Sequence, residues 1–402
     1  MKSYKQYITE GKKNTHLTHL ADLSFEGATR INEAVGFLES LLAMFEGSSK
    51  SKLNVTRKWD GAPAVFCGKH PETGKFFVGT KSIFNKTPKI NYTNKDIDIN
   101  HGHAPGLVDK LKISLKHLPS LGIKGILQGD LLYGPGDVAT KTIDGESYLT
   151  FTPNTITYAV QSDSKEASVI QKSKLGVVFH TKYSGKDMTS MKASFNVSSG
   201  DFGKSSSVWA TDATYKDTAG KSTFTETEYK TMSKLISKVK SMSKKASRGS
   251  DVISNDNSLS SFVNVYTNSK VREGNYTLSS NELLTFISDK LTAKVDKLTS
   301  ERGKEKRIKQ NAIILKKLKK SLRDIQAAFD LNMSIQKCVL FLLNKIQEVQ
   351  ALRTYIRTAD GFRVTGDEGF VVSDKSGTVI KMVDRLEFSK ANFTVAKNWV
   401  KG

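Results

Sequence analysis

Val55-Thr56-Arg57-Lys58-Trp59-Asp60-Gly61-Ala62-Pro63-Ala64-Val65-Phe66 joins two strand-like runs through a tight turn. β-branched residues precede the Asp-Gly pair, and a proline and a second apolar run follow it. A lysine at the end of a strand, just before a glycine turn, can stand over a pocket floor within reach of a bound phosphate. Its amine attacks only when deprotonated, so such a site must lower its pKa by burial or through cationic neighbours; Arg57 is one candidate. Taken alone, Lys58-x-Asp60-Gly61 also reads as a surface lysine beside a hairpin turn.

Outward from this stretch, the texture from about 53 to 185 is of short β runs broken by Gly, Pro and Asn. They include 64–67, 75–79, 125–132, 147–151, 155–160 and 175–180, with a helix expected over 106–118. Upstream, Ile31, Val35, Leu38, Leu41, Leu42 and Phe45 recur at helical spacing within 14–48. Residues 186–225 are rich in Ser, Thr, Gly and Lys, the composition of a connector. From 226 to 357 the period is helical again, with Leu315, Leu318, Leu322, Ile325 and Phe329 on one face and Asn332 marking a boundary between two antiparallel helices. Residues 361–386 return to β texture. Two short terminal strands form no core alone, so the pattern predicts one sheet domain interrupted by a helical insertion. The boundaries are 1–52 for an N-terminal helical segment, 53–190 with 358–402 for the core, 191–225 for the connector and 226–357 for the insertion. The class is α+β, with a mainly antiparallel sheet.

Further chemistry-bearing residues follow in order. Lys81 comes after the strand that ends Val78-Gly79, and Asp130 sits in Leu127-Gln128-Gly129-Asp130. Phe179 opens Phe179-His180-Thr181-Lys182-Tyr183, Glu368 opens Glu368-Gly369-Phe370-Val371-Val372, and Lys381 lies thirteen residues after Glu368.

In this order the segments resemble the motifs of the covalent nucleotidyltransferase superfamily: ATP-dependent DNA ligases, RNA ligases and mRNA capping enzymes. Lys58-Trp59-Asp60-Gly61 is similar to the nucleophile motif Lys-x-Asp-Gly, and Glu368-Gly369-Phe370-Val371 to the Glu-Gly-hydrophobic-Val motif. The resemblance implies a ligase-type core, ATP-grasp-like, in which Lys58 carries AMP. Asp60 and Gly61 would then lie beside the nucleotide, Asp130 near the ribose and Phe179 against the adenine. Glu368 would support Mg²⁺ or Mn²⁺, and Lys381 and Lys81 would meet the phosphates. It covers about 53–185 and 361–386.

The sequence departs from that pattern in several places. Ala62-Pro63-Ala64 replaces an arginine, Asp130 stands for a glutamate and His180 for an aspartate. Val383 stands where a second lysine is expected, with Arg385 or Lys375 as substitutes. Only 17 residues follow Arg385, too few for a C-terminal OB-fold. The expected activity is therefore an ATP-dependent polynucleotide ligase, RNA ligase ahead of DNA ligase. The alternative is a degenerate scaffold serving as a nucleic-acid-binding or structural protein. The chain as a whole also resembles uncharacterised proteins of large tailed bacteriophages.

Charge points to the partner. Sixty-two Lys and Arg against 40 Asp and Glu give +22, a surplus that attracts polyanions. Ten basic residues and one acid, Glu305, lie between Arg302 and Arg323, so Lys316, Lys317, Lys319, Lys320 and Arg323 are candidates to grip a nucleic-acid backbone. A solvated lysine-rich face is the alternative. Two distant cysteines, Cys67 and Cys338, build no disulfide framework or zinc site, and no secretory signal or membrane span is legible, so the expected setting is cytoplasmic. His101 and His103 have metal-ligand spacing but are more commonly ordinary loop residues.

Overall fold

The computed structural model describes residues 17–46, 53–188, 190–214, 223–347, 353–358, 361–365, 368–374 and 378–389. A short strand, Thr18–His19 (β1), and a 3-10 turn, Ala21–Phe25, lead into the helix Ala28–Phe45 (α1). Ile31, Ala34, Leu38, Leu41 and Phe45 are buried along one stripe of α1, as their spacing dictates. Asn54–Lys58 (β2), Ala64–Lys69 (β3) and Phe76–Gly79 (β4) come next, then Asn94–His101 (α2) and Pro105–His117 (α3). Pro105 opens α3 in the first turn, where a missing N–H leaves no bond unmade.

Ile126–Tyr133 (β5), Ala139–Ile143 (β6), Glu146–Phe151 (β7) and Ile156–Gln161 (β8) precede the short helix Lys165–Lys172 (α4) and the long strand Leu175–Ser184 (β9). Residues 191–225 are more than a connector. Lys192–Ser194 (β10) and Val208–Asp212 (β11) both pair with β9, β11 in parallel. The Ser/Gly-rich composition around it hides the apolar Val208-Trp209-Ala210 run.

Four helices follow: Glu226–Ser254 (α5), Asn257–Glu273 (α6), Ser280–Asp296 (α7) and Glu301–Gln347 (α8). Their starts are set by capping: Thr225 and Glu228 form a reciprocal box on α5, Asp256 caps α6 and Ser279 caps α7. The boundary expected at Asn332 is absent, because α8 runs straight through it over 47 residues. At 1.5 Å per residue this is a rod of about 70 Å. Asn332 is buried mid-helix instead: its amide donates to the Ala21 carbonyl (2.8 Å) and its oxygen accepts from the Tyr276 hydroxyl (2.8 Å). Arg353–Thr358 (β12), Gly361–Thr365 (β13), Gly369–Ser373 (β14) and Val379–Val383 (β15) close the described chain, so the sheet resumes at 353 rather than 358.

The strands form three sheets, in the orders β1-β15-β14-β2, β10-β9-β5-β3-β4 with β11 on β9, and β13-β12-β8-β7-β6. Apart from β1 on β15 and β11 on β9, the pairings are antiparallel. The protein is thus a mixed α and β molecule with mostly antiparallel sheets. Both ends of the sequence meet in the first sheet. Alternation gives that sheet two unlike faces. Val55, Phe370, Val372, Ile380 and Met382 bury against α1, α5 and the C-terminal half of α8, in one core cluster. Each fully buried large side chain there contributes roughly 1.5–3 kcal/mol. The helical block is therefore fused to the sheet, and the N-terminal segment belongs to the same core.

Candidate active site

The other face of the first sheet carries Thr56, Lys58, Val371, Lys381 and His19. Register fixes the arrangement. His19 pairs with Lys381, Lys381 with Val371, and Val371 with Thr56, while Gly369 stands beside Lys58. A Cβ on Gly369 would lie 2.1 Å from the Met382 carbonyl, so only glycine lets β14 sit this close to β15 next to Lys58.

Lys58 ends β2, and its Nζ lies 2.5 Å from Glu368 Oε2. The lysine side chain is 29% exposed and remains reachable, whereas the glutamate is 9% exposed. Burial works against the Lys58 ammonium, but Glu368, Asp130 and Asp60 outweigh it and hold the amine above its ordinary value. Burial pushes the Glu368 carboxyl up, with Lys58 opposing and Asp60 and Asp130 adding to the rise. The two titrate as a coupled pair. Lys381 behaves oppositely: burial first and then Lys58 hold its amine below the usual range. Lys58, Asp130, Glu368 and Lys381, spread over more than 250 residues of sequence, therefore interact as one charge cluster.

The turn after Lys58 is pinned to both other sheets. Asp60 is buried, and its carboxylate accepts from Asn154 Nδ2 (2.7 Å), Thr155 N (2.6 Å) and Ile156 N (2.7 Å). Its own N–H donates to the Tyr158 hydroxyl (2.8 Å). Burial raises the Asp60 carboxyl, and the bonds from Asn154, Ile156 and Thr155 oppose that rise. Asp60 is thus a brace between the Lys58 turn and the start of β8, with no oxygen left facing a ligand uncommitted. Trp59 packs beside Tyr158 and Trp209, with ring centroids 5.0 and 6.3 Å away. At Gly61 a Cβ would stand 2.5 Å from the Asp130 Cβ and 3.0 Å from the Leu131 carbonyl, so the turn can press against β5 only without a side chain. Ala62 N then donates to Leu131 O (2.9 Å), delivering the chain into β3.

The second sheet contributes Asp130, opposite Ala64 and Val178. Between Gln128 and Gly129 the register on β9 slips by one residue, passing from Thr181 to Phe179. His180 is the inserted residue, and its Nε2 lies 3.5 Å from Asp130 Oδ2. The same bulge corrects the expectation for Phe179. That ring is fully buried in the core between the second sheet and α3, 5.1 Å from the Phe202 ring, and does not face the cleft. The imidazole of His180 faces it instead.

Lys81 is exposed on the 3-10 turn Lys81–Phe84, directly after β4. Arg385, expected to substitute at the phosphates, is buried and committed to Asp22 (2.9 Å), Tyr276 (3.1 Å) and Asn268 (3.0 Å). Lys375 lies outside the described residues. His101 is buried, 3.5 Å from the Asn91 amide, and no group of three metal-ligating side chains occurs among the described residues. Lys316, Lys317, Lys319, Lys320 and Arg323 are all exposed on α8, with Lys317 3.7 Å from Asp256. No helix among the described residues is long and apolar enough to cross a membrane.

The residue that sequence patterns missed is His19. A two-residue strand has no periodicity to betray it, and its partner Lys381 is 362 positions away.

No curated protein and no solved structure matches the chain. The model of a family of unknown function, DUF6267, matches residues 14–397, and the chain belongs to that family.

Proposed function

We propose that the protein is an ATP-dependent polynucleotide ligase that carries AMP on Lys58. What supports this is the convergence of Lys58, Glu368, Asp130 and Lys381 from β2, β5 and the β14–β15 hairpin, through elements separated by the whole helical block. In the free protein Lys58 is a protonated ammonium against Glu368. Its proton passes to Glu368, and the freed Nζ attacks the α-phosphorus of ATP. The bond to the β-phosphate oxygen breaks, and the electron pair leaves on pyrophosphate. Lys381 draws the developing charge. The AMP then moves to a nucleic-acid 5′-phosphate, and a neighbouring 3′-hydroxyl expels it and seals the strand. RNA is favoured over DNA as substrate.

The carboxylates of Glu368 and Asp130 fit a hard cation that takes one or two protein oxygens and completes its shell with phosphates and water, as Mg²⁺ or Mn²⁺ does. Bound there, the ion would neutralise phosphate charge. The positive helical block, with 24 basic against 12 acidic residues over 226–347, would hold the backbone without reading sequence.

One observation favours a second function, a degenerate nucleic-acid-binding or structural scaffold. Phe179 is buried in the core of the second sheet instead of lining the site. Incubation with α-labelled ATP and Mg²⁺ or Mn²⁺ separates the two. Acid-labile label on the wild type and none on Lys58→Ala supports the ligase; no label with either metal leaves the scaffold.

A further inference from the structure

We propose that His19 is a phosphate-side residue of this cleft, binding the polyphosphate of an incoming nucleotide and taking up a proton as it does so. This rests on the cleft being a nucleotide site, but on none of the transfer chemistry.

The placement of His19 is built, not incidental. β1 adds to the edge of the first sheet in parallel, setting His19 directly beside Lys381. The Leu20 N–H donates to the Lys381 carbonyl (3.0 Å) and locks that register. Leu20, Ala21 and Leu23 are buried immediately after it, and Asp22 pairs with the buried Arg385 at 2.9 Å. Leu20 to Leu23 are thus anchored, while the imidazole itself is half-buried and shares the face that carries Lys58 and Lys381.

The charges around it explain what it does. Lys381 and Arg385 face it from the β15 end and Lys58 from β2; burial, then these three cations in that order, hold the imidazole well below its ordinary value. At neutral pH it is therefore uncharged in the free protein, although three cations surround it. A polyphosphate brings several negative charges to the same place. Lys58 is already paired with Glu368 and Arg385 with Asp22, so the added negative charge tips the balance toward the protonated imidazole, which then makes a charge-assisted bond to a phosphate oxygen. A permanently charged residue here would add repulsion to an empty site already holding two lysines. A histidine supplies the positive charge only when the anion is present.

The test uses full-length protein and inorganic pyrophosphate in EDTA, so that no metal competes. Calorimetry at pH 7 in two buffers of different ionisation enthalpy should give net proton uptake on binding to the wild type. In the proton NMR spectrum, the one imidazole C2–H signal absent from His19→Gln should move toward its protonated position as pyrophosphate is added. His19→Gln should bind about tenfold more weakly, roughly 1.4 kcal/mol, without uptake. Equal binding by wild type and His19→Gln, binding without movement of the His19 resonance, or failure of pyrophosphate to bind would each overturn the proposal. The wild-type NMR titration holds even if the variant folds poorly. The two ideas fail separately. Lys58 labelling by ATP with a silent His19 sinks only the histidine, whereas proton uptake without any labelling sinks only the adenylyl transfer.

Discussion

Two buried or half-buried Lys–Glu pairs join distant parts of this chain, and they are opposites. In the helical block Lys345 reaches both oxygens of Glu228 at 3.0 and 3.1 Å, while Glu228 also accepts from the Thr225 N–H at the start of α5. Those bonds, led by the one from Thr225, hold the Glu228 carboxyl below its ordinary value. In the cleft Lys58 meets Glu368 just as closely, yet the Glu368 carboxyl is raised, because burial and two neighbouring carboxylates work against it. The first pair has satisfied partners and stabilises a helix end. The second crowds two lysines, three carboxylates and two histidines into one place that folding alone does not require. Such crowding marks a place where charge is to be compensated by something that binds.

The largest expected effect tests that contrast directly. Lys58→Ala should abolish labelling by α-labelled ATP, and Glu368→Gln should slow it by about 10²–10⁴-fold, the usual scale for a lost proton acceptor. Lys345→Met should leave the labelling rate unchanged while lowering stability. If the Lys345 variant loses label as completely as the Lys58 variant, the contrast is empty. The pH dependence carries a sign. Because the Lys58 proton passes within the pair, the wild-type rate should be level wherever the pair holds one proton and should fall as acid adds a second to the raised Glu368 carboxyl. In Glu368→Gln that internal acceptor is gone and the amine must lose its proton to solvent, so the rate should climb with pH where the wild type is level. A wild-type rate that climbs through neutral pH as steeply as the variant's would show that Glu368 does not take the Lys58 proton.

Next in size is the brace beneath Lys58. Asp60→Ala leaves the donors of Asn154, Thr155 and Ile156 unmet in a buried setting. Unsatisfied donors of this kind predict a loss of about 2–4 kcal/mol by denaturant unfolding. A loss below about 0.5 kcal/mol would mean that the turn is held by something other than Asp60.

Much of this was legible in the chain itself. The strands around 64–67, 125–132, 147–151 and 175–180 fall where alternating apolar runs and turn residues put them, because local pattern decides half-buried antiparallel strands. Lys58, Glu368 and Lys381, singled out in the sequence, come together in the structure. What the sequence hid is long-range or a matter of facing. A one-residue bulge decides whether Phe179 or His180 faces the cleft, and no composition signals a bulge. The role of Asp60 depends on donors 94 to 96 positions away. Asn332 looks like a helix breaker until Ala21 and Tyr276 satisfy its amide inside the core. The β11 strand depends on β9, and β1 on β15; neither partner is nearby in sequence.

Phe179 gives a smaller test of that facing. Phe179→Leu should cost about 1 kcal/mol of stability, as a core volume change does. ATP affinity should hold within about twofold. A tenfold weakening of nucleotide without loss of stability would return the ring to the cleft and the bulge to a mistaken register.

The smallest effect belongs to the pair that serves as the structural half of the comparison. Glu228→Gln keeps the size of the side chain but removes the charge that meets Lys345 and weakens the capping box on α5. The glutamate is 27% exposed, so solvent screens part of the gain. The expected loss is about 1 kcal/mol. Because its folded-state value is depressed, the stabilisation is complete above the unfolded carboxyl's ordinary value and disappears as pH falls through the depressed one. The difference in unfolding free energy between wild type and Glu228→Gln should accordingly be full at pH 7 and shrink toward zero in the acid range. A cleft carboxyl raised by burial, such as Glu368, gains nothing of this sort at pH 7. A Glu368→Gln variant that is as destabilised as Glu228→Gln, with the same acid dependence, would make the two pairs one kind of object and remove the electrostatic reason for placing chemistry at Lys58.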